Sequence, residues 1–393
     1  MSLNISEVQK DLRAAKLDGW LFYDFRGRDP IALRILDLPP GMRTRRWFYF
    51  IPAKGTPKKL VHKIETQSLA ALPGETSYFS LYEELRANLK KLLGRAKTVA
   101  MQYSPNNAIP YVSMVDAGTI ELVRSTGVNV VTSADLVQKY EACWTPAQLE
   151  SHLAAGRAID AIVQGAFAHA ATSVREKSPI TEYDLQQWIL RKFDEAGLET
   201  EEGPDVAVNA NASDPHYAPS SEKSATIKEG DLLLLDVWGK QKAPRSVYYD
   251  ITWTGYLGAK VPEKYTKVFK VVREARDCGV ELIRSSVKAG KPLQGWQVDK
   301  ATRAIVEKAG YGKYFFHRTG HNIGQTAVHG NGVNMDGSET RDERHLIPKT
   351  CNSIEPGIYL PEFGIRSEVD VYIDEREARV TGAVQSEILP LLS

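Results

Sequence analysis

The sequence predicts two domains, an α/β unit followed by an α+β unit. Three observations carry this expectation. At 393 residues the chain is longer than one ordinary core, since a domain takes roughly 100 to 200 residues. Residues 1 to about 140 alternate short apolar strands with amphipathic helices, the texture of a layered α/β sheet. Beyond about residue 200 the chain turns to pairs of β-rich runs around polar turns, which read as hairpins.

Taken in order, VQKDLRAAKL is helical, WLFYDF, RWFYFIP and KLVHKIE are strand-like, and LYEELRANLKKLLGR is helical. CWTPAQLESHLAAGRAIDAIVQGAFAHAATSVRE reads as a linker and then a long helix, starting near Pro146 with Thr145 as its cap. The boundary therefore falls near residue 143, giving domains 1–142 and 143–393. ITEYDLQQWILRKFDEAG is a second helix, capped by Thr181 and stopped at Gly197. GDLLLLDVWGKQKAPRSVYYDITWTGYLG reads as one hairpin, and TCNSIEPGIYLPEFGIRSEVDVYI as another that turns at PEFG. Between them lies FFHRTGHNIGQTAVHG, with three of the eight histidines, His317, His321 and His329. A helix would set His317 and His321 on one face, but Gly320 and Gly324 argue for a tight loop instead.

Composition narrows the function classes. A net charge of +1 gives no electrostatic reason to expect nucleic acid or an anionic membrane. The opening MSLNISEVQKDLRAAKLDGW lacks the apolar core of a signal peptide, and no run approaches the eighteen or so apolar residues of a membrane span. Cys143, Cys278 and Cys351 are odd in number and widely spaced, as expected of reduced thiols rather than a disulfide framework. The expected location is the cytoplasm.

Each hairpin carries one carboxylate per strand among apolar neighbours: Asp236 after LLLL, Asp250 before ITWTGYL, Glu355 in SIEPGIYL and Glu368 in GIRSEVDVYI. A charge so embedded is costly unless paired or bound to a metal. Four carboxylates gathered together would repel by about 4 kcal/mol per close pair, at an effective dielectric near 20 and a separation near 4 Å. Two divalent cations would neutralise them, and one imidazole would complete an oxygen-rich site suited to Mn²⁺, Co²⁺ or a carboxylate-bound Zn²⁺. Such a site performs metal-assisted hydrolysis.

In that order, DVWG, YYDITWTG, HRTGHNIG, IEPGIY and GIRSE resemble the five metal-ligand segments of the pita-bread metallopeptidases, the family of methionine aminopeptidase, aminopeptidase P and prolidase. The likeness covers about residues 145 to 393, and the amino-terminal part resembles the creatinase-type domain of aminopeptidase P, prolidase and creatinase. The implied architecture is an α/β creatinase-like domain plus an α+β pita-bread catalytic domain. The resemblance implies Asp236, Asp250, His321, Glu355 and Glu368 as ligands of two metal ions, Mn²⁺ first and Co²⁺ or Zn²⁺ as alternatives. It implies His216, His317 and His329 on the substrate side and a proton role for Glu355. Tyr359 and Arg366 match groups that orient the glutamates.

The sequence departs from the family pattern in places. Trp253 stands where the family's DITRT motif has arginine, the KQKAPR turn is long, and one extra residue separates His321 from His329. In the charged segment GNGVNMDGSETRDERHLIP, Arg341 and Arg344 either read a substrate carboxylate or pair with Asp342 and Glu343. The function implied is cleavage of the bond before proline, with dipeptides preferred, in a homodimer. Aminopeptidase P action on longer peptides is the alternative, and a metal-free creatinase-like hydrolase or a pseudo-peptidase binding protein would be expected to have lost ligands.

Overall fold

The computed structural model describes residues 3–39, 41 and 43–393. The chain forms two compact units, Met1–Glu141 and Ala142–Ser393.

The first unit is built on a six-stranded sheet. Its elements are α1 (Ile5–Ala14), β1 (Gly19–Asp24), α2 (Pro30–Ile35), β2 (Trp47–Pro52), β3 (Lys58–His62), β4 (Glu75–Phe79), α3 (Tyr82–Leu93), β5 (Thr98–Met101), α4 (Ala117–Arg124), β6 (Asn129–Thr132) and α5 (Ala134–Val137). The strand order is β4-β3-β2-β1-β5-β6. All six residues of the central strand β1 are buried, which explains its unbroken apolar run. Strand alternation sends Trp20 and Phe22 to one core with Val8 and Leu12 of α1. Leu21 and Tyr23 face a second core with Leu85 and Leu89 of α3 and Ile120 of α4.

The second unit begins with α6 (Pro146–Arg175), in which Thr145 caps the amide of Gln148, and α7 (Glu182–Glu195), capped by Thr181. Gly197 follows α7 at φ +68°, the left-handed conformation in which glycine ends a helix. Next come β7 (Leu198–Glu199), β8 (Asp205–Val208), β9 (Leu232–Gln241), β10 (Tyr249–Tyr256), α8 (Glu263–Lys288) and α9 (Gly295–Lys308). The remaining strands are β11 (Thr350–Ile354), β12 (Gly357–Leu360), β13 (Phe363–Arg366), β14 (Val369–Ile373), β15 (Ala378–Val380) and β16 (Leu389–Pro390). No helix among the described residues is long and apolar enough to cross a membrane.

Register decides what each face of β9 and β10 carries. Leu233, Leu235 and Val237 of β9, with Tyr249 and Ile251 of β10, join Ile159 and Phe167 of α6 in one core. The alternate positions point the other way. Asp236 pairs with Thr252, and Asp250 lies two residues from Thr252, so period-two alternation puts both aspartates on one face. The second expected hairpin is two nested ladders, β12 with β13 and β11 with β14. Glu355-Pro356 and Ser367-Glu368 interrupt the pairing between them. That interruption frees Glu355 and Glu368 from strict alternation.

Candidate metal centre

The segment around the three histidines is a loop. Ser353 donates its amide to the His321 carbonyl at 2.9 Å, Ile323 donates to Cys351 at 2.8 Å and Glu355 donates to Thr319 at 2.8 Å, so residues 319–323 run beside β11. Gly320 is required by this close approach, since a Cβ there would lie 2.0 Å from the Ser353 carbonyl oxygen. Glu368 donates its amide to the Thr252 carbonyl at 3.3 Å, which ties the start of β14 to the aspartate face of β10.

These contacts bring Asp236, Asp250, His321, Glu355 and Glu368 together. Donor atoms of Asp250, His321 and Glu368 all lie within 4.8 Å of one another. His321 Nε2 is 3.4 Å from both Asp250 Oδ2 and Glu355 Oε1. The Thr252 hydroxyl sits 2.7 Å from Glu368 Oε2 and 3.0 Å from Asp236 Oδ1. Arg366 pairs with Asp236, and its Nε donates to the Thr252 hydroxyl at 3.0 Å.

The donor set fits divalent cations. Asp250 Oδ1 and Glu368 Oε1 are buried without a hydrogen-bond partner, a costly state for a carboxylate oxygen. His321 Nδ1 lies 3.1 Å from the Asn322 carbonyl. That contact makes Nδ1 the protonated nitrogen and leaves the Nε2 lone pair facing two acids. Burial, reinforced by His329 and Arg318, holds the His321 pKa well below its ordinary value. Oxygen donors with one neutral imidazole suit a hard or borderline divalent ion.

Without a cation, burial and mutual repulsion favour the protonated forms of the same acids. Burial and then the neighbouring Asp236 push Asp250 well above its ordinary range, and burial and then Asp250 do the same to Glu368. Glu355 is pushed up to about 7 by burial, against the lowering effect of Arg366. A carboxylate raised in the fold binds more protons than its unfolded counterpart, so it stabilises the fold below its unfolded pKa, and that contribution is lost as pH rises through the folded value. The metal-free protein is therefore expected to melt at a lower temperature at about pH 8 than at about pH 5, with divalent metal restoring the loss at the higher pH. Calorimetric scans of stripped and loaded protein check this; an unchanged melting temperature in the stripped protein would contradict it.

The remaining expected site residues divide. His329 is exposed and pairs as an isolated bridge with Ile323, and its ring lies 4.3 Å from that of His321, nearly perpendicular at 81°. The extra residue before it is absorbed in a tight loop, where Gly324 donates to the Val328 carbonyl at 2.9 Å. His216 is exposed in the loop after β8. His317 places its Nε2 2.7 Å from the Tyr359 hydroxyl and its Nδ1 2.7 Å from the Arg318 carbonyl. Both ring nitrogens thus have partners within the protein. Tyr359 also accepts from Arg366 at 3.1 Å, completing a chain His317–Tyr359–Arg366–Asp236.

Of the two readings of the charged segment, Arg344 takes the ion pair: it is buried and commits its donors to Asp342 and to the carbonyls of Asn331 and Gly332. Arg341 is exposed and pairs with Glu343 at 2.9 Å. Trp253 packs against the α6 and α7 core, and Arg366 supplies a positive charge on the aspartate side at Asp236.

The structure adds residues that the sequence did not single out. Asp370 accepts the Asp250 amide at 2.9 Å, with buried His152 3.9 Å behind it. Its only signal was an acid within an apolar strand run, close in sequence to Glu368. Asp205 is the cross-strand partner of Asp236, and burial and then Asp236 push it up to about 8. Thr252 carried no signal beyond its polarity in an apolar strand. The positive charge of Arg318 bears on His321, His329 and Glu355.

Comparison with known proteins places this geometry. Residues 151–375 match the profile of metallopeptidase family M24. The chain is 31% identical over 225 residues to the Xaa-Pro dipeptidase of Lactobacillus helveticus, covering 57% of this chain and 55% of that one. It thus spans about half the length of that curated relative. The crystal structure of dipeptidase PepE from Mycobacterium ulcerans superposes with a TM-score of 0.72 at 23% identity, covering 98% of this chain and 96% of the other. The prolidase of Thermococcus sibiricus superposes at 0.65 with 20% identity, covering 98% and 97%. Those two structures share the fold, as the α/β plus pita-bread expectation requires. With a matched profile that includes all five acid and imidazole positions of the cluster, the chain belongs to metallopeptidase family M24.

Proposed function

We propose that the protein is a metal-dependent peptidase that hydrolyses the Xaa-Pro bond and prefers dipeptides. The observation that carries the reading is the pair of buried, partnerless oxygens of Asp250 and Glu368 beside the His321 Nε2 lone pair. Asp236, Asp250, His321, Glu355 and Glu368 would hold two divalent ions, with Mn²⁺ the expected metal and Co²⁺ or Zn²⁺ the alternatives. The chemistry that such ions supply is a water of lowered pKa and a polarised scissile carbonyl.

The chain's own residues supply the rest. Glu355, with a pKa pushed up to about 7, is matched to taking a proton during attack and returning it to the leaving imide nitrogen of proline. His329, exposed beside His321, donates to the oxyanion, and His216 donates at the mouth of the site. Arg366 holds Asp236 in place and is itself held by Tyr359 and Thr252. The preference for dipeptides rests on the likeness to the Lactobacillus helveticus enzyme. Of Arg341 and Arg344, Arg341 is the one exposed to meet a substrate carboxylate. A cytoplasmic location, a homodimer and proline-containing peptides as partners, with neither nucleic acid nor membrane, complete the proposal.

Initial rates on an Xaa-Pro dipeptide beside the matching Xaa-Pro-Xaa tripeptide test the substrate class. A rate confined to the dipeptide is expected. A faster tripeptide would reassign the protein to aminopeptidase P action, and cleavage of neither would reject the proline-directed reading.

A further inference from the structure

The amino-terminal unit has a cavity of its own. A space of about 590 Å³ opens at the carboxyl end of β1, within the size range of small-molecule sites. The chain runs from β1 through β2 and β3 to β4 on one side of the sheet, then returns to place β5 and β6 on the other side of β1. Tyr23 at the end of β1, the loop Phe25–Arg28 and the start of α4 after β5 all line the cavity. With His62 and Phe79, its rim is built from the carboxyl ends of β1, β3 and β4, the end of the strands at which open α/β sheets bind ligands.

Its walls are cationic and aromatic. Arg26, Arg28, Arg45 and Arg46 line it. The guanidinium carbons of Arg26 and Arg28 lie 5.4 and 5.5 Å from the Phe25 ring, and that of Arg46 lies 6.0 Å from Tyr82. These contacts hold the cations at the cavity without neutralising them. Among the described residues, the ion pairs of this unit involve other basic groups, and Arg26, Arg28 and Arg46 have no carboxylate partner. Arg45 lies by Glu65, which accepts its amide at 3.1 Å. The carboxylate in the wall, Asp116, is committed to capping α4, accepting from the amide and hydroxyl of Thr119 at 2.9 and 2.8 Å.

We infer that this cavity binds a small polyanion of the phosphate-ester class. Three unpaired guanidinium groups ask for more than one negative charge, and their planar forks match phosphate oxygens in pairs. The volume exceeds that of a bare ion, and the exposed Tyr82 ring leaves a surface for a planar organic group. Its lining residues all belong to the first unit, and those of the metal centre to the second.

Calorimetric titration of the metal-loaded, full-length chain with pyrophosphate, and separately with adenosine diphosphate, tests the assignment. One site per chain is expected for at least one probe. Arg28→Ala and Arg46→Ala should each weaken it at least about tenfold, as loss of a charge-assisted bond does, and Arg86→Ala, an exposed arginine of the same unit outside the cavity, should leave it unchanged. Tighter binding of adenosine diphosphate than of pyrophosphate would mean that the Tyr82 ring seats an organic group. Heat that survives both substitutions, including phosphate bound at the metal centre, would mean an adventitious ion only and would overturn the site. No heat from either probe would overturn it equally.

Discussion

His321→Ala is expected to abolish metal retention and, with it, hydrolysis. The imidazole is buried, its Nε2 faces Asp250 and Glu355 at 3.4 Å, and it is the neutral donor among four acids. Substitution of outer-shell partners alone costs metal sites about 10 to 100-fold in affinity, so loss of a direct donor should exceed about 100-fold. Removing the ring also leaves a void beside the partnerless oxygens of Asp250 and Glu368, which a methyl group cannot fill with a donor of fixed direction. Elemental analysis after dialysis, with kcat/KM measured on the same sample, checks this. Full occupancy in the variant would remove His321 from the ligand set.

His329→Ala is expected to keep the metal and the fold but lower kcat by about 10² to 10³-fold, the loss typical of one oxyanion donor. The side chain is exposed, so its removal opens no cavity. Its backbone pairing with Ile323 does not depend on the imidazole. A change in kcat at unchanged metal content separates this role from ligation, and wild-type kinetics would return His329 to an ordinary loop residue.

The metal cluster was legible because each acid interrupts an apolar strand run. Asp236 and Asp250 needed only period-two alternation and a hairpin register to meet. The helix limits at Thr145 and Thr181 were equally legible, because capping is a local chemistry read from a few adjacent residues. What lay outside reach depends on contacts between distant segments. The nested ladders of β11 to β14 hide in one apolar stretch, since pattern alone does not show where pairing changes partner. Asp205 and Asp370 are ordinary strand acids until the register sets one beside Asp236 and the other behind Asp250. His317 meets Tyr359 and Arg344 meets Asp342; the first contact joins distant segments and has no sequence signature, while the second is the ion pair that the segment's adjacent charges offered.

The most direct measurement is the rate of Xaa-Pro dipeptide hydrolysis by metal-stripped protein as Mn²⁺ is added back stepwise. The account predicts no rate at the start and a rate that rises to saturation at about two equivalents per chain, as a paired-ion site requires. Hydrolysis of the dipeptide by the stripped protein, unaffected by chelator, would contradict it.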